Sequence, residues 1–355
     1  MILSRIRMKS VHLASLLVPL LGAATAVQAA SPLVVTASNA TANQLLVYSP
    51  SGQLIQTLST KGAGGATGNA GGVQTSDGLV AVVNFGSQSV SIFQVGNHGL
   101  SLTQVVPTVA NPVSVAFGEN HLYILGATKV ESHAIFGDFV NTNPDGVSTL
   151  LVADGSAAQV GFLDKQIVVS EKSNVIETFE LLADGAVSGN PTLVAGIPSD
   201  AGIAVNGNEP FGLVTSGKDA YVTIAHKNEV ALVRKDAIVN SGFTATQNAP
   251  CWATLTGPFL FTSNTASKSL SRFVVHGHNI TLDADIASPQ NFAGNVTDNA
   301  SGSGLVAAID GAGGFTGTSH LTIFNIDEDG NLTNAGISGV IPGAINGVAI
   351  VPSRF

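Results

Sequence analysis

Two pairs of residues could do acid–base chemistry: Glu171-Lys172 and His226-Lys227. A carboxylate or neutral imidazole can take a proton from water. A neighbouring ammonium can then stabilise the negative charge that develops, so Glu171 and His226 are candidate catalytic bases with Lys172 and Lys227 as electrostatic partners. Only 10% of the chain is charged, which sets these pairs apart, although solvated loops also carry Glu-Lys and His-Lys. Asn84, Lys129, Gln159, Glu209, Trp252 and Asn264 are the candidates for substrate contact.

Other motifs carry less. Cys251 stands beside Trp252, but no histidine at a suitable local spacing marks it as a nucleophile, and a buried cysteine usually behaves as a small hydrophobe. His276-Gly277-His278 reads as an exposed turn rather than a metal site, and Asp327-Glu-Asp-Gly330 lacks the rest of a calcium loop. The run Lys61–Gly72 has no Gly-Lys-Ser/Thr ending and no following helix, so it is not a phosphate loop. It is expected to be a flexible loop leading into a repeat. No metal and no cofactor is expected.

The elements that must position these residues repeat along the chain. An apolar strand runs into a polar loop, and an alternating strand then ends in an aromatic residue. From Asn to aromatic the offset is nine residues at Asn39 to Tyr48, Asn84 to Phe93 and Asn264 to Phe273. Looser copies lead to Phe136, Phe179, Val233 and Phe324, which makes seven. Hairpin turns such as Asp184-Gly185 and Asp329-Gly-Asn331 follow. A period of roughly 40–50 residues is that of propeller blades, and an all-β, seven-bladed propeller of four-stranded blades follows. The chain starts on a second-type strand, Leu33–Thr36, and ends on a first-type strand, Gly347–Val351; pairing of these two closes the ring. Two β-sandwiches are the alternative, but no linker divides residues 31–355.

Composition agrees. The 355 residues are 45% hydrophobic with 40 Gly and one Cys, which excludes disorder, a coiled coil and a disulfide scaffold. A formal charge of −9 excludes nucleic acid as a partner. Residues 1–30 combine Arg5, Arg7 and Lys9, an apolar run broken by His12 and Pro19, and the small residues Ala29 and Ala30. That order reads as a signal peptide, so a secreted or periplasmic protein with no membrane span after cleavage is expected. A monomer is expected.

The segment Val82 to Thr103, Ala157-Ala-Gln-Val-Gly-Phe162, Val168 to Phe179, Pro210-Phe-Gly212 and Ala249-Pro-Cys-Trp252 with Phe261-Thr-Ser-Asn264 resemble, in order, segments of secreted bacterial members of the lactonase family of seven-bladed propellers, which includes 6-phosphogluconolactonase-like and 3-carboxymuconate cyclase-like proteins. The resemblance implies a hydrolase or cycloisomerase acting on a small-molecule lactone or related organic acid. A phosphorylated substrate would need clustered cations, whereas beyond residue 30 the only arginines are Arg234, Arg272 and Arg354. The second function class is a non-catalytic propeller that binds a ligand or a protein partner.

Overall fold

The structure is a computed structural model that describes residues 31–97, 99–198, 209–311 and 317–353. The expected signal of residues 1–30, together with Arg354, lies outside the described residues. Seven antiparallel sheets, each with four strands in sequence from the ring centre outward, form a seven-bladed propeller. In blades three and seven the outer edge is split between two short strands. No α-helix occurs among the described residues, only the short turns Phe85–Ser87 and Ala225–Lys227.

Blade one is built from both ends of the chain. Its inner strand is Asn346–Val351 and its second strand is Leu33–Ala37, paired Val34 to Ile350, Val35 to Ala349 and Thr36 to Val348. The Thr36 hydroxyl adds a bond to the Gly347 carbonyl at 2.6 Å. Strand alternation sends Val34 and Val35 to opposite faces. Val34 joins the wedge shared with blade seven, beside Ile309 and Ile323, while Val35 joins the wedge shared with blade two, beside Val82 and Phe93. Each neighbouring pair of blades shares a similar apolar wedge.

The repeated aromatic residue fills those wedges. Phe93, Phe179, Phe273 and Phe324 are completely buried. Blade three departs from the pattern, because its loop between second and third strands is Ala127-Thr128 and not the four residues of blade two. The shorter loop moves the register by two. His133 pairs with Leu122 as Phe93 pairs with Val80, so His133 takes the buried aromatic position and Phe136, expected there, is 69% exposed.

The inner strands of the other blades are Val73–Ser76, Pro112–Gly118, Ala157–Leu163, Pro210–Ser216, Pro250–Thr256 and Asn295–Gly302. Proline can open three of them because an inner strand is an edge facing the channel, where a missing N–H breaks no ladder. In blades two to six the loop between second and third strands bonds the loop that leads into its own blade. Examples are Ala127 N–H to Asn111 O, Lys172 to Ser156, Ala225 to Glu209 and Thr265 to Ala249. Both loop sets therefore share one face of the disc, as the repeat register requires.

Removing residues 346–355 leaves the strand Leu33–Ala37 without its inner neighbour and opens two apolar wedges. Circular-dichroism melts of this truncation are expected to lose the cooperative transition of the intact chain; an unchanged transition would show that the ring does not depend on this closure.

Candidate functional site

The glycine-rich run is folded across the channel mouth. Asn69 Nδ2 donates to Val113 O at 2.5 Å in blade three, and Asn69 Oδ1 accepts from Asn346 Nδ2 at 2.7 Å in blade one. The Asn69 carbonyl takes the Trp252 indole N–H at 3.1 Å from blade six, and Ala70 N–H bonds Ala158 O at 3.1 Å in blade four. Ala70 packs on Phe211, Ala225, Cys251 and Trp252. Bonds to blades one, three, four and six centre residues 69–71 on the ring axis as a plug. The close approach explains the glycines: a Cβ on Gly72 would stand 2.1 Å from Asn346 Oδ1.

Below the plug the inner strands enclose two cavities of about 360 and about 300 Å³ that share the walls Gln74, Thr75, Gln159, Leu213 and Val214. Burial shows which end is open. Inner strands are buried at the plug and accessible at the far end, where Thr215, Phe162, Thr256 and Gly302 are half-exposed. The channel therefore opens on the face opposite the plug. Among the described residues its walls are rich in amides and hydroxyls, including Gln74, Gln159, Thr254, Asn299 and Ser301, and contain no Lys, Arg or His.

Asp298 is the one ionisable group in that lining. It is 5% exposed. Its Oδ1 accepts the Asn299 N–H at 2.8 Å, and the N–H groups of Val348 and of Gly71 in the plug also bond the carboxyl. Burial pushes its pKa up to about 8, outweighing the three N–H groups that pull it down. An acid with such a pKa can exchange a proton near neutral pH. Sequence reasoning missed Asp298. The signal was present, because it follows the inner-strand bulge just as Gln159 and Trp252 do.

The expected residues divide into four groups. Gln159 and Trp252 line the channel, and Gln159 Oε1 accepts the Leu213 N–H at 2.7 Å. Lys172, Glu209 and His226 gather beside the plug: Lys172 Nζ donates to Gly68 O at 2.6 Å and Ala157 O at 3.2 Å, and His226 Nε2 lies 3.2 Å from Glu209. Burial lowers the Lys172 pKa, opposed by Glu209 and other nearby acids. Lys227 shares the turn of His226, and Lys129 opens the third strand of blade three; both are half-buried.

Glu171, a candidate base, and Asn84 and Asn264, candidates for substrate contact, form the last group, and all three are completely buried. Asn84 bonds Asn43 at 3.0 Å and Ser91 at 2.8 Å, and Asn264 bonds Ser269 and Ser271 at 3.0 and 2.8 Å. These amides tie the second strand to the third. The Cys251 thiol is pushed up to about 12 by burial, far from the thiolate a nucleophile needs. Arg234 and Arg272 are held by Asp219 and Asp283, each at 2.6 Å.

No protein-family model matches the sequence, and no curated protein matches it. Solved structures do. A functionally unknown protein from Desulfotomaculum acetoxidans superposes with a TM-score of 0.61 at 12% identity, covering 92% of this chain and 100% of that one. A "putative 6-phosphogluconolactonase" from Bacteroides uniformis gives 0.58 at 17% identity over 91% and 100% of the two chains. Another so described, from Bacteroides fragilis, gives 0.59 at 16% over 90% and 98%. At these identities the likeness shows the fold alone.

Two outcomes follow. Trp252→Phe removes the indole bond to Asn69 and is expected to cost about 1 kcal/mol, with faster proteolytic cleavage inside residues 61–68 read by mass spectrometry. Glu171, Glu177 and Asp298 have pKa values raised to about 8, about 7 and about 8. Raised carboxyls favour the folded state below their unfolded pKa and lose that contribution as pH rises through the folded value. Urea midpoints in EDTA-containing buffer should therefore fall between about pH 6 and 9, less steeply in Asp298→Asn; a rise over this range would contradict the assignment.

Proposed function

We propose that the protein binds and hydrolyses a lactone or related cyclic acid that carries no phosphate, within the channel beneath the plug. The observation that supports this reading is the combination of an amide- and hydroxyl-rich wall with a single carboxyl, Asp298, whose pKa burial raises to about 8. In its ionised form Asp298 takes a proton from water attacking the lactone carbonyl. It returns that proton to the ring oxygen as the acyl–oxygen bond breaks. Side-chain amides and hydroxyls such as Gln159 and Thr254 supply donors for the ring hydroxyls and the developing oxyanion. A phosphate has no cation to meet in this wall. The first 30 residues support an extracytoplasmic setting.

A second reading is a ligand-binding propeller without turnover, favoured by the three N–H groups that already engage the Asp298 carboxyl. The His226–Glu209 contact at 3.2 Å supports a third possibility, acid–base chemistry beside the plug with Lys172.

A panel of neutral aliphatic and sugar lactones, with one phosphorylated sugar lactone, separates these readings. Turnover of a neutral lactone is expected, with kcat about 100-fold lower or worse in Asp298→Asn and within about threefold of wild type in His226→Ala. Saturable binding with no turnover by wild type selects the binding propeller. Loss in His226→Ala with full activity in Asp298→Asn moves the chemistry to the plug face.

A further inference from the structure

Blade four replaces a neutral hydrogen-bonded pair by two acids. In blades two and six an asparagine at the end of the second strand bonds a serine in the third: Asn84 to Ser91 and Asn264 to Ser271, both at 2.8 Å. The register pairs Asn84 with Ser89, Asn264 with Ser269 and Glu171 with Val175. Glu171 thus stands at the asparagine position and Glu177 at the serine position, on one face of the sheet. Both side chains are completely buried.

Each carboxylate is only half satisfied. Glu171 Oε1 accepts the Val152 N–H at 3.2 Å and Glu177 Oε2 accepts the Leu151 N–H at 2.9 Å. These are consecutive amides of the loop leading into blade four, and the register sets Glu177 opposite Val169, two residues from Glu171 on the same face of the sheet. Glu171 Oε2 and Glu177 Oε1 are buried without a hydrogen-bond partner. The nearby ammonium of Lys172 is committed to the carbonyls of Gly68 and Ala157.

Blade three gives the contrast. Glu131 occupies the position of Glu177, yet both its oxygens face the Val109 N–H, at 3.1 and 3.2 Å, and His133 lies 3.6 Å away. It leaves no buried oxygen unpartnered, whereas two further ones, Ser156 Oγ and Asn174 Oδ1, lie on the two loops that flank the blade-four pair. All four unpartnered atoms around blade four are oxygens. Among the described residues no three His, Cys, Asp or Glu gather into a metal-binding group, and the unpartnered atoms here are hard oxygen donors.

We propose that Glu171 and Glu177 bind a hard divalent cation, calcium in particular, between blades three and four, with the Ser156 hydroxyl and Asn174 amide oxygens and water completing the shell. Two carboxylates with neutral oxygens suit calcium, which accepts irregular sets of six to eight oxygen ligands, better than magnesium, which demands a strict octahedron. The ion fastens the loop 150–156 to the loop 172–174. It lies apart from Asp298 and takes no part in the channel chemistry.

Calorimetric titration and thermal melts of the EDTA-treated protein with calcium chloride and, separately, magnesium chloride test the proposal. One calcium per chain is expected, with an affinity in the ~0.1–1 mM range of extracellular sites or tighter. At saturation Tm should rise by about 5 °C. Glu177→Gln and Glu171→Gln should each weaken calcium binding by about tenfold or more, while melting no lower than wild type in EDTA because a neutral amide costs less to bury than an incompletely bonded carboxyl group. Should either variant fail to fold, Asn174→Ala, on the flanking loop, is expected to weaken calcium binding with the metal-free Tm unchanged. No heat and no Tm change up to about 10 mM calcium, or calcium binding unaltered in Glu177→Gln and in Asn174→Ala, would overturn it. Lactone turnover, governed by Asp298, is expected to survive in Glu177→Gln and Asn174→Ala.

Discussion

Everything in this molecule depends on the antiparallel pairing of Leu33–Ala37 with Asn346–Val351, the two ends of the chain laid in one blade. A propeller blade buries its faces only against neighbours, so an open ring would expose the wedges of Val34 with Ile309 and of Val35 with Val82. Closure makes all seven wedges interior at once. It also brings Asn346 to the plug, where it holds Asn69, and Gly347 close to Val73 of blade two. The same pairing that stabilises the fold therefore seats the plug.

The plug decides which end of the channel is open. A propeller usually offers one open mouth among its loops, and the paired residues Glu171-Lys172 and His226-Lys227 lie on that face. Here residues 69–71 fill the mouth through bonds to four blades. Lys172 is spent on the plug, its ammonium donating to the Gly68 carbonyl. The polar cavity lies below, and its single carboxyl bonds the plug through Gly71. Site and closure are thus mechanically joined.

How much was legible follows from the range of each signal. The blades were readable because their pattern is local: the nine-residue step from Asn84 to Phe93 or Asn264 to Phe273 reports a hairpin with the aromatic residue facing a wedge. The step misled only where the loop Ala127-Thr128 is shorter, placing His133 in the wedge and Phe136 outside. Gln159 and Trp252 were candidates for substrate contact, and the structure places both just after an inner-strand bulge, where Asp298 also stands. The plug was not legible. Glycine-rich sequence has no periodicity, and the contact of Asn69 with Asn346 spans 277 residues. Burial of Glu171 was equally hidden, since a charged residue at the end of a strand resembles a loop residue until its register with Asn84 is seen.

Hydrogen–deuterium exchange tests most directly the claim that ligand enters opposite the plug and rests against the inner strands. The probe is a six-membered sugar lactam, which keeps the ring and hydroxyls of a sugar lactone but resists hydrolysis. With the lactam at saturation, exchange should slow in residues 159–162, 213–215 and 298–303, the strand segments that line the channel. Protection confined to the loops 172–174 and 225–228, or none at all, would contradict the account.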